Sequence, residues 1–348
     1  MTPALYGLFL LGLLSGTLIT MSSTHWLLAW IGLELNTLAM LPLISRYYHP
    51  RATEATLKYF LVQTTASTII LFTATLNAWY TGQWTISHPA PTLTTIALTA
   101  SIMFKLGIAP LHLWYPEVLQ GAPMTAALII ATWQKLAPLS LAYMTLHLVS
   151  TNFLVIVGVT TIAIGAMTGL IHTQTRKVMA YSSIGHMGWL LIALLLSPKI
   201  ATLTVMVYIT TTTAAFLVLT NTRSNTITTM GTSWPQGPTC LLMMALNLLS
   251  LAGLPPLLGF APKLLIIEDL THNGLAPLAT TMILLGLPAL YYYVRLAYFT
   301  LLTMPPMTHP MRVMKINRFP PSSPLMTTAA LLLATMPLPL IAILYEIV

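Results

Sequence analysis

Four charged side chains fall inside stretches of this 348-residue sequence that are otherwise apolar: Glu34, Lys105, Lys135 and Lys263. An ionised side chain at the centre of a bilayer costs about 2.5–3.5 kcal/mol on insertion scales, so such residues mark ion or proton pathways far more often than they occur by accident. Three lysines cannot be neutralised by one carboxylate. Some must be solvated by cavity water or have a proton affinity tuned by desolvation and like-charged neighbours. A lysine tuned in this way binds and releases a proton, which is the chemistry of a relay. The bland alternative is an ion pair that fixes helix contacts, a reading that suits one such residue better than four.

The histidines add less. His112 follows Pro110, and His186 lies well inside an apolar stretch; these two are the candidates for a supporting relay role. No two histidines stand three or four residues apart, so the spacing indicates no metal site. Glu54 and Lys58, four apart with the acid first, read as an ordinary pair at a helix entry. Glu117 beside Pro116 either caps a helix or lines the mouth of a path. Glu268 and Asp269 are either an acidic exit or a wet helix end.

The elements that must position these residues are membrane helices. Hydrophobic residues make up 56% of the chain and charged residues 6%, with a mean hydropathy of +0.82, a profile outside the soluble range. Apolar windows fall at roughly 3–22, 25–45, 56–80, 93–118, 123–147, 150–171, 178–196, 201–220, 239–270, 275–302 and 324–345. The sequence therefore predicts an all-α polytopic bundle of about eleven transmembrane helices. Windows four and nine are too long for one crossing and contain Gly107-Ile108-Ala109-Pro110 and Pro255-Pro256, Gly259 and Pro262. Both are expected to be broken helices. Lys105 and Lys263 lie beside these breaks, the fourth element of each set of five. That predicts one membrane domain of two inverted five-helix repeats, 1–147 and 150–302, followed by a terminal helix at 324–345.

Basic residues sort by side. With the amino terminus on one face, that face receives Arg46, Arg51, Lys58, Arg176, Lys177, Arg223, Arg312, Lys315 and Arg318, and the other receives Lys199. The positive-inside rule then puts the amino terminus on the cytoplasm-like or matrix-like side and the carboxyl terminus opposite. The first span begins almost at Met1 with no basic leader, so it reads as unprocessed. The net charge of +8 is scattered, which points to loop topology and not to nucleic acid. Cys240 is the sole cysteine and no Gly-x-Gly occurs, so neither a thiolate iron–sulfur site nor a nucleotide fingerprint is present.

The run Lys105-Leu-Gly-Ile-Ala-Pro110-Leu-His112-Leu-Trp114-Tyr-Pro116-Glu117 resembles the signature of the antiporter-like membrane subunits of respiratory NADH dehydrogenase and multi-subunit sodium/proton antiporters. Trp30-Ile-Gly32-Leu-Glu34-Leu-Asn36, Glu54-Ala-Thr-Leu-Lys58-Tyr59-Phe60, Thr173-Gln-Thr-Arg176-Lys177, Ser182-Ser183-Ile-Gly-His186 and Leu251-Ala-Gly253-Leu-Pro255-Pro256 look like the vertebrate mitochondrial members. The resemblance implies a proton-translocating subunit of respiratory complex I in the mitochondrial inner membrane, packed against other membrane-arm subunits, antiporter-like ones included. It implies no cofactor in this chain, with NADH, FMN, iron–sulfur clusters and ubiquinone handled by other subunits. Carried over, Glu34 is the carboxylate that pairs with Lys105, Lys135 is the central lysine, and Lys263 is the lysine of the second broken helix. Bacterial members have fourteen helices. Set against them, the eleven windows of this chain imply the animal arrangement, in which the first three are expected to be missing and neighbouring subunits to seal that face.

Two other readings fit the same charges. A self-contained cation/proton antiporter would transport when reconstituted alone, and a structural scaffold would keep its activity when the lysines are replaced by neutral isosteres.

Overall fold

A computed structural model of the chain describes residues 2–46, 49–86, 92–232, 238–255, 257–302 and 329–332. Among them every regular element is a helix. Pro256, the basic residues Arg312, Lys315 and Arg318, and all of the expected terminal span except helical residues 329–332 lie outside the described residues. The chain divides into two compact units, Met1–Thr161 and Ile162–Val348.

In the first unit, α1 (Pro3–Ser22), α2 (Trp26–Ile44) and α3 (Pro50–Thr81) are followed by the half-helices α4 (Thr92–Leu106) and α5 (Trp114–Gly121), then α6 (Met124–Ala131) and α7 (Leu136–Thr145). Helix starts follow from local chemistry. The Nδ1 atoms of His25 and His49 accept the backbone N–H of Leu27 and Arg51 at 3.2 Å, and Pro50 opens α3, where its missing N–H costs nothing. Glycines let α1 and α2 touch: a Cβ on Gly32 would stand 2.8 Å from the Gly16 carbonyl oxygen. At 32 residues α3 is about 48 Å long, well beyond a hydrocarbon core of about 30 Å, so its first turns reach the interface.

The helix α8 (Thr151–Ile171) runs across the division between units. The second unit continues with α9 (Thr175–Leu196), α10 (Pro198–Thr222), the short α11 (Ile227–Thr232), the half-helices α12 (Pro238–Ala252) and α13 (Phe260–His272), and α14 (Ala276–Leu302). Here α8 and α9 meet at glycines, with a Cβ on Gly165 falling 2.6 Å from the Gly185 nitrogen.

Ten of the eleven expected windows coincide with these helices, and windows four and nine are interrupted as their glycines and prolines require. Seven of the helices are long and apolar enough to cross a membrane singly. One expectation needs correction. Window five was expected to be a simple span, yet it is interrupted by a 3-10 turn, Trp133–Lys135, between α6 and α7. Pro138 is the cause in the sequence: it has no N–H for the carbonyl of Gln134, so the regular ladder fails one turn before it.

Candidate functional site

Lys105 stands next to last in α4 and is 6% exposed. The helix must stop there because Gly107 takes a left-handed conformation, φ +70°, in which the Gly107 N–H bonds to Phe104 O and the Ile108 N–H to Met103 O. Lys105 Nζ donates to the Gln63 carbonyl at 3.3 Å, and Gln63 Nε2 donates back to the Lys105 carbonyl at 3.4 Å. The last turn of α4 is thus held to α3 by both its ammonium and its backbone. Among the described residues no carboxylate oxygen comes within 4.0 Å of Lys105. Glu34 on α2 lies within through-space electrostatic reach of Lys105 and Tyr59 without an ion-pair contact, and its Oε2 is buried with no hydrogen-bond partner.

Lys135, 4% exposed, closes the 3-10 turn, and its ammonium lies 4.9 Å from the centroid of the Tyr115 ring. The ring face carries negative quadrupolar charge and holds the cation without neutralising it. Tyr115 also lies across the first break, where a Cβ on Gly107 would stand 3.2 Å from the Tyr115 Cβ. One aromatic side chain from the start of α5 therefore touches both the glycine that ends α4 and the ammonium of Lys135. Sequence reasoning passed over it, although it precedes Pro116 in the segment that reopens the helix. His112 is buried inside this break, and its carbonyl accepts the Tyr115 N–H at 3.0 Å.

The second unit builds its site around Lys263. At the end of α12, Gly253 takes φ +84°, its N–H bonds to Ser250 O and the Leu254 N–H to Leu249 O, the same cap that ends α4. Lys263 stands on the far side of the break, in α13, and reaches back. Its Nζ donates to the carbonyls of Leu251 at 3.2 Å and Ala252 at 2.9 Å, the negative end of the α12 dipole. The ammonium also lies 5.9 Å from the Trp189 ring centroid on α9. Lys263 and Trp189 share a cavity of about 30 Å³ with His186, Thr204, Tyr208 and Thr211, enough room for an ordered water. The structure thus brings His186 and Lys263 to one cavity, and the glycine that follows Lys105 by two residues and the ammonium of Lys135 to one ring, Tyr115.

Four peripheral acids have plainer places. Glu117 meets Lys58 at 2.6 Å, and Lys58 also meets Glu54 at 2.5 Å, an exposed cluster that ties α5 to the first turns of α3. Glu268 sits exposed in the last turn of α13, 4.0 Å from His272, and Asp269 lies beside it, so this is a wet helix end. A further charge escaped the sequence reading. Arg295, which the sequence alone does not single out, lies seven residues before the end of α14, and its Nη1 donates to the Leu170 carbonyl at 3.3 Å.

Comparisons with known proteins agree with this architecture. The family described as NADH:quinone oxidoreductase/Mrp antiporter, transmembrane, matches residues 23–288. NADH-ubiquinone oxidoreductase chain 2 of Tetraodon nigroviridis is 48% identical over 306 residues, 88% of each chain, and that of Anas acuta is 44% identical over 338 residues, 97% of this chain and 98% of the other. Among solved structures, a chain of respiratory complex I from Thermus thermophilus superposes with a TM-score of 0.85 at 26% identity, covering 95% of this chain and 77% of that one. By the extent of the family match and the identity shared with the vertebrate chains, this protein belongs to the NADH-ubiquinone oxidoreductase chain 2 family of antiporter-like membrane subunits.

Proposed function

We propose that this subunit of proton-translocating NADH:ubiquinone oxidoreductase moves protons along Glu34, Lys105, Lys135 and Lys263, with His112 and His186 in supporting positions. The observation that carries the reading is how the ammonium groups of Lys105 and Lys263 are held. Each is buried or half-buried at a helix break, and each is bound by uncharged backbone carbonyls. A carbonyl cradle favours the cation but leaves its charge uncompensated, so a change of charge nearby alters the proton affinity directly. Unit charges 4 Å apart interact by about 4 kcal/mol at an effective dielectric near 20, equivalent to about three pKa units. Movement of Glu34 toward or away from Lys105 is a switch of that size. The buried Oε2 of Glu34, without a hydrogen-bond partner, leaves the carboxylate free to exchange partners.

The same cradles argue against a scaffold role, in which buried charges are expected to pair directly with one another. The chain carries no redox cofactor in this reading. NADH, FMN, iron–sulfur clusters and ubiquinone are handled elsewhere in the complex, and quinone reduction there changes the charge at one end of the membrane arm. The protein sits in the mitochondrial inner membrane with its amino terminus toward the matrix and its carboxyl terminus toward the intermembrane space. Other membrane-arm subunits, antiporter-like ones included, cover its exposed apolar faces.

Lys135→Met in the assembled complex tests the reading. Methionine keeps the length of the side chain and removes the exchangeable proton. NADH:ubiquinone electron transfer per assembled complex, measured together with protons moved per electron, is expected to show a lower ratio. An unchanged ratio takes Lys135 out of the path.

A further inference from the structure

His186, which lines the cavity with Lys263, has a further neighbour on α14, outside the cavity wall. Three residues of one turn of α14, Tyr292, Tyr293 and Arg295, grip two neighbouring helices at once. The Tyr293 hydroxyl lies 3.3 Å from His186 Nε2 on α9. Tyr292 packs on α8 where Gly169 leaves room, since a Cβ there would stand 2.8 Å from the Tyr292 ring. Arg295 donates to the Leu170 carbonyl in the last turn of α8, where a cation also faces the negative end of the helix dipole. Tyr293 is itself almost fully buried, and its ring packs against that of Tyr292, with centroids 4.4 Å apart. A phenol buried in a membrane bundle and joined to an imidazole that lines a cavity does more than fill space, because burying an unsatisfied hydroxyl is unfavourable and a phenylalanine would pack equally well.

We infer that Tyr293 is the positioning residue for His186, holding its ring at the cavity that Lys263 enters, and that Tyr292 and Arg295 anchor this segment of α14 to α8. The inference rests on the reading of His186 as a member of the relay. A neutral imidazole donates from one nitrogen and accepts at the other, so a partner fixed on Nε2 decides what the other nitrogen presents. The titratable groups that face His186 are Tyr208 from α10, Tyr293 from α14 and Lys263 from α13 across the cavity. No carboxylate lines this cavity among the described residues. The Tyr293 hydroxyl is therefore a partner able to donate to the neutral ring and accept from the charged one. The line of groups runs Tyr293, His186, cavity, Lys263.

The test uses the assembled complex. Tyr293→Phe removes one oxygen and keeps the ring, and His186→Gln removes the imidazole. Both are expected to lower protons moved per electron, and Tyr293→Phe is expected to displace the pH profile of pumping by about one unit, the scale of one lost hydrogen bond. Tyr298→Phe on the same helix, at an exposed position, is expected to leave the ratio and the profile unchanged. A loss with His186→Gln and none with Tyr293→Phe overturns the inference and leaves the relay standing. No loss with His186→Gln overturns the reading beneath it, and the inference with it. If Tyr293→Phe does not assemble, Arg295→Lys loosens the same anchor from a distance. It is expected to move the pH profile in a smaller step, and an unmoved profile sinks the inference.

Discussion

At the scale of single residues, Lys263 has two jobs that a substitution can separate. Its ammonium closes the carbonyl end of α12, a structural contact, and in the proposed relay it also gives up a proton. Arginine has five donors and stays charged at every pH a protein meets, so Lys263→Arg preserves the contact and removes the exchange. The complex carrying it is expected to assemble at normal levels, with electron transfer present and protons per electron reduced as far as in Lys263→Met. Full pumping with arginine would assign the residue to helix capping alone. The four central charges were legible in the sequence because an ionised residue in an apolar window has few innocent explanations. Tyr115, Gln63 and Trp189 were not, because a tyrosine, a glutamine or a tryptophan in such a window has many. Their importance comes from what they touch: the ring under Lys135, the amide and carbonyl paired with Lys105, and the ring beside Lys263.

At the scale of elements, the breaks follow one recipe. A left-handed glycine ends the first half-helix, at Gly107 and at Gly253, and a proline nine residues later precedes the charged residue of the second half, Pro116 before Glu117 and Pro262 before Lys263. Both breaks could be read from composition because glycine and proline act locally. The third, beside Lys135, hid because its only sequence signal, Pro138, acts at a distance of four residues on a carbonyl already inside the turn. Arg295 was passed over for a related reason: only the packing of α14 on α8 shows that it stays inside the bundle. The shared recipe also separates backbone strain from site geometry. Gly82 and Gly253 both have positive φ, +72° and +84°, but a Cβ on Gly82 meets nothing within 4 Å while one on Gly253 falls 2.9 Å from Lys263 Nζ. Alanine costs about 1–2 kcal/mol at either site through its left-handed backbone. Gly82→Ala is therefore expected to lower the yield of assembled complex with pumping per electron intact, and Gly253→Ala to lower both. Equal behaviour of the two variants would mean that the position of Lys263 over the break is unimportant.

At the scale of the whole molecule, both units follow the same plan. In each, an isolated antiparallel bridge ties the segment before one helix to the segment after the next, His25 to Thr85 and Gln174 to Thr226, and a broken helix follows. The charges placed on that plan differ. The first unit holds Glu34, Lys105 and Lys135, and the second holds His186 and Lys263. Their sign bears on the rival reading as a sodium carrier. A sodium ion needs a cluster of oxygen ligands, usually with an acid among them at mid-membrane. Here the cavity beside Lys263 is lined by a cation, an imidazole, hydroxyls and apolar groups, with no carboxylate among the described residues. A sodium ion 4 Å from the charged lysine meets a repulsion of about 4 kcal/mol at an effective dielectric near 20, roughly a thousandfold against occupancy. A proton avoids that penalty because it travels as the charge of the lysine itself. Replacing all sodium by choline around the complex in sealed vesicles is accordingly expected to leave protons per electron unchanged, and the purified chain alone in liposomes to dissipate no sodium gradient. Sodium flux through the isolated chain, or a proton ratio that falls with sodium removal, would restore the antiporter reading and require an ion path that avoids the Lys263 cavity.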